Sequence, residues 1–304
     1  MNLPEKVTIC EVGLRDGLQN EKKIINTEKK LELANKLIDA GFKVIELGSF
    51  MSPKAVPQMA DTDELFKKLG EVNGVEMRAL IANIKGVERA AICGCRKVKI
   101  NVSASRLHNL SNLNKTPEES VAGFEEIVTL ANKHGISVSG SISMPFGSPW
   151  EGEISIESIK SIIEAYLDVG ITEISLSDAS GMAVPNQVYS ICSNMQGNYP
   201  QVKWWLHFHN TRGMGIANIL AAMLTGITNF DSSFCGLGGC PFVPGAAGNV
   251  CSEDVVHMMD EMGVKTDINI TRLLELAKKV QQLVGHEADS YLLRAGPSKN
   301  LFKE

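Results

Sequence analysis

Eight segments dense in Val, Ile and Leu, each followed by a segment of helical periodicity, fill roughly 260 residues and predict a closed (β/α)₈ barrel. Most of the apolar runs lack clean alternation, as expected of parallel strands covered on both faces. One observation favours the barrel over a doubly wound sheet. The turn after the first run carries Arg15-Asp16 instead of the Gly-x-Gly-x-x-Gly of a dinucleotide-binding sheet.

The strands are expected at Val7–Val12, Val44–Gly48, Met77–Ile81, Lys97–Val102, Ser137–Ser143, Glu173–Ser177, Lys203–Phe208 and Ile227–Ser232. The helices are expected at Thr27–Ala40, Asp61–Leu69, Gly86–Ile92, Pro117–His134, Ser155–Val169, Pro185–Gly197, Gly215–Leu224 and Ser252–Met262. Pro117 and Pro185 suit first-turn positions, and Gly41, Gly135, Gly170, Gly226 and Gly263 stand where helices stop. Asn269–Gly285 reads as an additional C-terminal amphipathic helix and Leu292–Glu304 as a tail. No linker divides the chain, so residues 1–304 read as one catalytic domain, with the barrel over about 5–263 and the helix and tail over 264–304.

Of the 304 residues, 44% are hydrophobic and 21% charged, with a net charge of -5. That balance gives no basic surface for nucleic acid or an anionic membrane. No run of eighteen apolar residues is present, so no membrane span is expected. Seven cysteines at irregular spacing match no zinc motif, and no signal peptide is visible, which reads as reduced thiols in a cytoplasmic setting.

In such a barrel the chemistry gathers at the carboxyl ends of the strands. Arg15 and Asp16 follow the first strand. Alone they read as a surface ion pair worth under ~1 kcal/mol; at a barrel mouth they read as a metal-binding carboxylate beside a cation for a developing oxyanion. Glu46 ends the second strand and can orient Arg15. His207 and His209, two apart on the seventh strand, point the same way and suit a metal. With Asp16 and an amide oxygen from Asn249 they make a mixed N/O set suited to Mg²⁺ or Mn²⁺, with Zn²⁺ open on ligand type. Asp178 follows the sixth strand as a supporting or substrate-binding carboxylate, a helix cap at Pro185 lying too far downstream. The glycine-rich loop from Gly236 to Gly248 reads as a surface loop or as a lid that carries Cys240 in as a proton donor or acceptor.

These pieces resemble the 3-hydroxy-3-methylglutaryl-coenzyme A lyase family, within the metal-dependent barrel enzymes that include isopropylmalate and homocitrate synthases. The resemblance is carried by Glu11-Val-Gly-Leu-Arg-Asp-Gly-Leu-Gln-Asn-Glu21, Val44-Ile-Glu-Leu-Gly-Ser-Phe50, Ser52-Pro-Lys-Ala-Val-Pro-Gln-Met59, His207-Phe-His209 and Gly236-Leu-Gly-Gly-Cys-Pro241 with Gly248-Asn249. It implies Asp16, His207, His209 and Asn249 as ligands of a divalent metal and Arg15 as the group that stabilises an enolate oxygen. It also implies Cys240 on a lid, with Glu46 and Asp178 as acidic site residues. His207 is the expected base, an acyl-CoA the expected substrate, and a homodimer the expected assembly. Ser103, Ser105 and Lys299-Asn300 are the expected coenzyme A contacts. The implied reaction is retro-Claisen cleavage to acetyl-CoA and acetoacetate. The alternatives are a lyase acting on citramalyl-CoA or another branched 3-hydroxyacyl-CoA, a Claisen-type condensing synthase, and a non-catalytic metal-binding barrel. Several neighbours depart from the family pattern: Leu14 for Pro, Leu47-Gly48 for Thr-Thr, Ser177-Asp178-Ala179 for Gly-Asp-Thr, and Asn210-Thr-Arg212 for Asp-Thr-Tyr. Strand five and its loop lack a tyrosine and two cysteines common there. Arg212 is the candidate for a different carboxylate contact.

Overall fold

The computed structural model describes residues 1–239 and 247–299. Its eight strands are β1 (Thr8–Glu11), β2 (Val44–Ser49), β3 (Glu76–Ile81), β4 (Lys97–Ser103), β5 (Ser137–Ser143), β6 (Glu173–Asp178), β7 (Lys203–Phe208) and β8 (Asn229–Ser232). Each pairs in parallel with the next, and β8 closes on β1 through Thr8–Glu11 against Asn229–Ser232. The expected barrel is therefore the observed one.

The helices are α1 (Thr27–Ala40), α2 (Thr62–Leu69), α3 (Ile84–Cys93), α4 (Arg106–Leu113), α5 (Pro117–Val121), α6 (Phe124–Lys133), α7 (Ile156–Asp168), α8 (Pro185–Asn198), α9 (Gly215–Met223), α10 (Ser252–Glu261), α11 (Ile270–Val284) and α12 (Tyr291–Ala295). Their ends follow local chemistry. Asn26, Asn83, Ser155 and Asn269 each accept a backbone N–H three residues on. Thr116 and Glu119 form a reciprocal capping box. The segment expected as one helix, Pro117–His134, is two, α5 and α6, separated at Ala122-Gly123. Helix α4 was not expected, and the tail holds the short α12. The additional helix α11 packs against α1 and α10.

The apolar core lies between barrel and helices, with Leu33 and Leu37 of α1, Ile45 and Leu47 of β2 and Ile159 and Ile163 of α7 buried there. Inside the barrel the lining is largely polar. Cys10, Val12, Val44 and Trp205 form a small apolar group of their own. Glu46, Lys99, His207 and Asp231 are joined by ion pairs and, at His207, a hydrogen bond. The pairing of β2 with β3 slips between Glu46 and Gly48. Such a bulge re-aims side chains beside a site.

Candidate active site

Arg15 and Asp16 sit on a single π-helical turn, Gly13–Gly17, directly after β1. The turn is tied down from below. Glu11, fully buried at the end of β1, accepts the N–H of Gly13 at 2.7 Å, the N–H of Phe234 at 2.9 Å and the hydroxyl of Ser252 at 2.5 Å. A side chain at position 13 would have its Cβ 2.6 Å from the Glu11 carboxylate and the Phe234 ring, so only glycine fits. The turn thereby buries Arg15 and Asp16 almost completely. They are not a surface pair.

Arg15 donates from Nε to Glu46 Oε1 at 2.5 Å and from Nη1 to Asp16 Oδ1. Glu46 is fully buried and also receives Lys99 Nζ on Oε2 at 2.9 Å. Lys99 reaches across the barrel to Asp231 Oδ2 at 3.3 Å, and the same oxygen lies 3.2 Å from His207 Nδ1. Burial opposes the charge on Asp231, but Lys99 and His207 hold its carboxyl well below the usual range. An ionised Asp231 requires Nδ1 of His207 to carry the hydrogen, leaving Nε2 a lone pair.

That lone pair faces the other expected ligands. His207 Nε2 lies 3.1 Å from His209 Nε2 and 4.0 Å from Asp16 Oδ2, with His209 Nε2 3.7 Å from the same oxygen. One donor atom from each of Asp16, His207 and His209 lies within 4.8 Å of the others. Burial, reinforced by His207, pushes His209 down to about 4, so its imidazole is neutral at pH 7. Burial opposes the charge on Asp16, but Arg15 and the two imidazoles keep it well below the carboxylate range. A bridge between His209 and Asn249 brings Asn249 alongside. Asn249 turns its NH₂ to Asp16 Oδ2 at 2.8 Å and to the Leu237 carbonyl at 2.9 Å. Its Oδ1 is buried without a hydrogen-bond partner among the described residues, as are Asp231 Oδ1 and His209 Nδ1. Gly238, with φ +120°, passes so close that a Cβ there would lie 2.4 Å from Asn249 Nδ2. Two imidazoles, one carboxylate and a spare amide oxygen fit a divalent cation.

Above these groups opens a cavity of about 300 Å³. Its polar wall includes Arg15, Asp16, Lys99, Asn101, His207 and Asp231; its apolar wall includes Met51, Val56, Leu80, Ile81 and Leu113.

The other expected site residues fall elsewhere. Asp178 is fully buried and accepts from Ser180 Oγ at 2.9 Å and from the backbone N–H groups of Met182 and Ala183 at 3.1 and 3.0 Å. Burial raises its pKa. It thus anchors the loop that leads into α8 without capping the helix, whose N-cap is Val184. Ser103 and Ser105 are fully buried and bonded internally: Ser103 Oγ to the Ser143 carbonyl, Ser105 Oγ to Ser148 Oγ and to the N–H of His108 as the cap of α4. They offer coenzyme A no surface. Lys299 pairs at the surface with Glu261 at 3.3 Å. Arg212 donates to the carbonyls of Ser180 and Gly181 and does not line the cavity. Cys240 and Asn300 lie outside the described residues.

Three buried groups central to this geometry carry no assigned role in the sequence: Glu11, named only as the start of a motif, Lys99 and Asp231. The available signal was their position. Lys99 falls in a strand that alternates polar and apolar residues, Lys97-Val-Lys-Ile-Asn-Val-Ser103, and Glu11 and Asp231 each stand next to an apolar residue in a short strand, Cys10 and Phe230.

Comparison with known proteins agrees with this geometry. Residues 6–280 match the model of the HMGL-like family. Over 301 residues the chain is 38% identical to the hydroxymethylglutaryl-CoA lyase YngG of Bacillus subtilis, covering 99% of this chain and 98% of that protein. It is likewise 38% identical to the (R)-citramalyl-CoA lyase of Chloroflexus aurantiacus over 303 residues, covering 96% of each. A solved HMG-CoA lyase from Acinetobacter baumannii, in complex with coenzyme A and 3-methylmalate, superposes with a TM-score of 0.95 at 41% identity, covering 99% of this chain and 98% of that one. With an eight-stranded barrel, a buried Arg-Asp turn and a His–His–Asp group at its mouth, this chain belongs to the HMGL-like family.

Proposed function

We propose that this carbon–carbon lyase cleaves a short branched 3-hydroxyacyl-CoA, with 3-hydroxy-3-methylglutaryl-CoA as its substrate and acetyl-CoA and acetoacetate as products. The observation that carries the reading is Arg15, fixed by Glu46, in the same buried mouth as Asp16, His207 and His209.

Asp16, His207 and His209 would hold the divalent cation, Mg²⁺ or Mn²⁺, with Asn249 completing the set by turning its free Oδ1 inward. Such a cation supplies Lewis acidity that makes a bound hydroxyl easier to deprotonate. Charge balance supports the pairing of a dication with an anionic substrate. The described cluster has two cations, Arg15 and Lys99, against three carboxylates, Asp16, Glu46 and Asp231. A dication and one substrate carboxylate bring that cluster to neutrality.

As the C2–C3 bond breaks, its electron pair moves onto the thioester carbonyl as an enolate, and the C3 oxygen becomes a ketone. Arg15 is held by two carboxylates before substrate arrives, so its remaining donors meet the enolate oxygen without reorganising. Cys240 would deliver a proton to the enolate carbon. His207 takes the hydroxyl proton in the sequence reading. With Nδ1–H on Asp231 its one lone pair is on Nε2, which metal binding also calls on; Asp231 Oδ1 is the open buried acceptor on the same wall.

Release of acetyl-CoA in the presence of Mg²⁺ or Mn²⁺ tests the reading on a panel of 3-hydroxy-3-methylglutaryl-CoA, citramalyl-CoA and longer branched homologues. No release from any of them refutes it. The second reading, citramalyl-CoA cleavage, is favoured by the relative of that name and predicts the higher kcat/KM on citramalyl-CoA. Six buried free cysteines among the described residues fit a reducing compartment such as the cytoplasm; a homodimer is the assembly the family resemblance implies, and light scattering checks it.

A further inference from the structure

Lys99 stands on β4 with its side chain inside the barrel and is almost fully buried. A buried lysine loses the hydration of its ammonium and needs compensating charge. Lys99 has it twice: Glu46 Oε2 at 2.9 Å on one side and Asp231 Oδ2 at 3.3 Å on the other. Each of those carboxylates has one further partner. Glu46 holds Arg15 through Nε, and Asp231 holds His207 through Nδ1. The result is an unbroken chain of alternating charge across the barrel: Arg15, Glu46, Lys99, Asp231, His207. Its two ends are the group that meets the enolate and a group of the His–His–Asp triad.

We propose that Lys99 is a positioning residue that fixes Arg15 and His207 relative to one another by holding Glu46 and Asp231 in place. The proposal rests on the lyase reading above. Both carboxylates are buried, and in a medium of low polarity two like charges with no cation between them repel strongly. With Lys99 removed, Glu46 and Asp231 turn away from each other. Arg15 then loses the oxygen that orients its Nε. His207 loses the acceptor that keeps hydrogen on Nδ1 and the lone pair on Nε2. A displacement of about 1 Å in groups of this kind costs roughly a hundredfold in rate.

Because Lys99 also lines the cavity, the rival role is direct contact with the substrate carboxylate. The two roles separate in the measurements. The first variant is Lys99→Met, which keeps most of the stem and removes the charge. Lys99→Gln, which keeps two donors without charge, serves should the Met variant fail to fold. Turnover of the best substrate from the acyl-CoA panel is split into kcat and KM. Mn²⁺ binding is measured separately on each folded protein by titration calorimetry without substrate, so the result does not depend on the identity of the substrate. The expected result is a 30- to 100-fold fall in kcat, KM within about threefold of wild type, and Mn²⁺ affinity at least fivefold weaker. In an Asp231→Asn background the Lys99 substitution should weaken Mn²⁺ binding by less than it does in wild type, since the link is already cut. A folded variant with wild-type kcat and Mn²⁺ affinity overturns the proposal. So does a rise in KM alone with unchanged metal binding, which assigns Lys99 to the substrate. Wild-type protein that turns over no member of the panel but loses Mn²⁺ affinity on substitution refutes the lyase reading while leaving the positioning role in place.

Discussion

At the amino-terminal end of the strands, Arg78 lies fully buried with its guanidinium 4.3 Å from the centre of the Trp205 ring. Its Nη2 is 2.7 Å from Glu173 Oε1, a close Coulombic contact, and Lys97 and Lys203 approach the other oxygen of Glu173 at 3.1 and 3.7 Å. At the carboxyl end, Arg15 is held as tightly by Glu46 and Asp16. The two clusters share residue types, burial and strong pairing. Both also hold buried polar atoms without a hydrogen-bond partner among the described residues: Arg78 Nη2, Glu173 Oε1 and Trp205 Nε1 in the first, His209 Nδ1, Asn249 Oδ1 and Asp231 Oδ1 in the second. They differ in what stands together. Around Glu173, the unbonded Arg78 Nη2 and Glu173 Oε1 face each other as opposite charges. Around Asp16, one donor atom from each of Asp16, His207 and His209 lies within 4.8 Å of the others, and the open Asn249 Oδ1 is a neighbour. The lesson is that neither pairing nor an open buried atom alone identifies a site; a convergent set of cation-ligating atoms beside a fixed charge does.

Substituting one arginine at each end breaks this comparison or upholds it. Removing one partner of a buried pair costs roughly 3 kcal/mol of stability, and both arginines are buried and paired, so both variants should be destabilised. Arg15→Met should in addition cut turnover per folded molecule by about a thousandfold, the order of one lost oxyanion donor or more. Arg78→Met should leave kcat per folded molecule within about twofold. Denaturant titration and initial rates corrected for the folded fraction decide the matter. Wild-type kcat per folded molecule in Arg15→Met together with a large loss in Arg78→Met would reverse the assignment of the two clusters.

Much of this was legible beforehand, and the exceptions have physical reasons. The strands were readable because each carries Val, Ile, Leu or an aromatic residue toward the helices, even where the residues facing the barrel interior are polar, as in Lys97–Ser103 and Ser137–Ser143. Arg15, Asp16, Glu46, His207 and His209 were readable because a polar group at a strand's carboxyl end has only the barrel mouth to face. Helix α4 was missed because two of its inward residues are His108 and Asn109, which break apolar periodicity. Pro117–His134 was read as continuous because Gly123 alone does not announce a break. Lys99 and Asp231 escaped because charge within a strand ordinarily signals a solvated face; here the partners that neutralise it come from strands distant in sequence. The partners of Asp178, two backbone N–H groups and a serine, carry no sequence signature, so its anchoring of the loop before α8 is visible only in the structure.

Glu11 lies between these extremes, a buried carboxylate bonded only to neutral donors. Burial pushes its pKa up to about 8, against the lowering effect of Ser252, Phe234 and Gly13. Since the folded value lies above the unfolded one near 4.5, its contribution to stability is complete below pH 4.5 and is lost as pH rises through about 8. Glu253, raised by burial to about 7, acts in the same direction. Unfolding free energy should therefore fall between pH 6 and 8, by on the order of 2 kcal/mol for Glu11 alone. Glu11→Gln should flatten that slope. Urea titrations at several pH values measure it, and a stability that rises over this interval refutes the assignment.

Asp231→Asn sharpens the comparison within the upper cluster. The amide can donate to Nδ1 of His207 and so shift its hydrogen to Nε2, where the lone pair is needed. Partners of this kind typically contribute ten- to a hundredfold in metal affinity or activity. At least a tenfold loss of Mn²⁺ affinity is expected, with no more than a small change in the thermal midpoint. An Asn variant that binds Mn²⁺ as tightly as wild type would remove Asp231 from the argument.

The smallest effect belongs to Lys97, two residues before Lys99 on β4 and inside the same barrel. It differs from Lys99 in where along the axis its partner sits. Lys97 shares Glu173 with Arg78 and Lys203, so its loss leaves that carboxylate still paired. Lys97→Met should cost about 1 kcal/mol, the upper range for a pair with solvent access, and should leave kcat and Mn²⁺ affinity at wild-type values. The contrast with Lys99→Met then holds residue type, strand and burial nearly constant and varies only height in the barrel. Equal losses of kcat at the two positions would mean that the whole interior behaves as one electrostatic unit, and the distinction between the two clusters would have no mechanistic content. A loss confined to Lys99 would show that function enters this barrel only in its upper layer, where the charge chain reaches the His–His–Asp group.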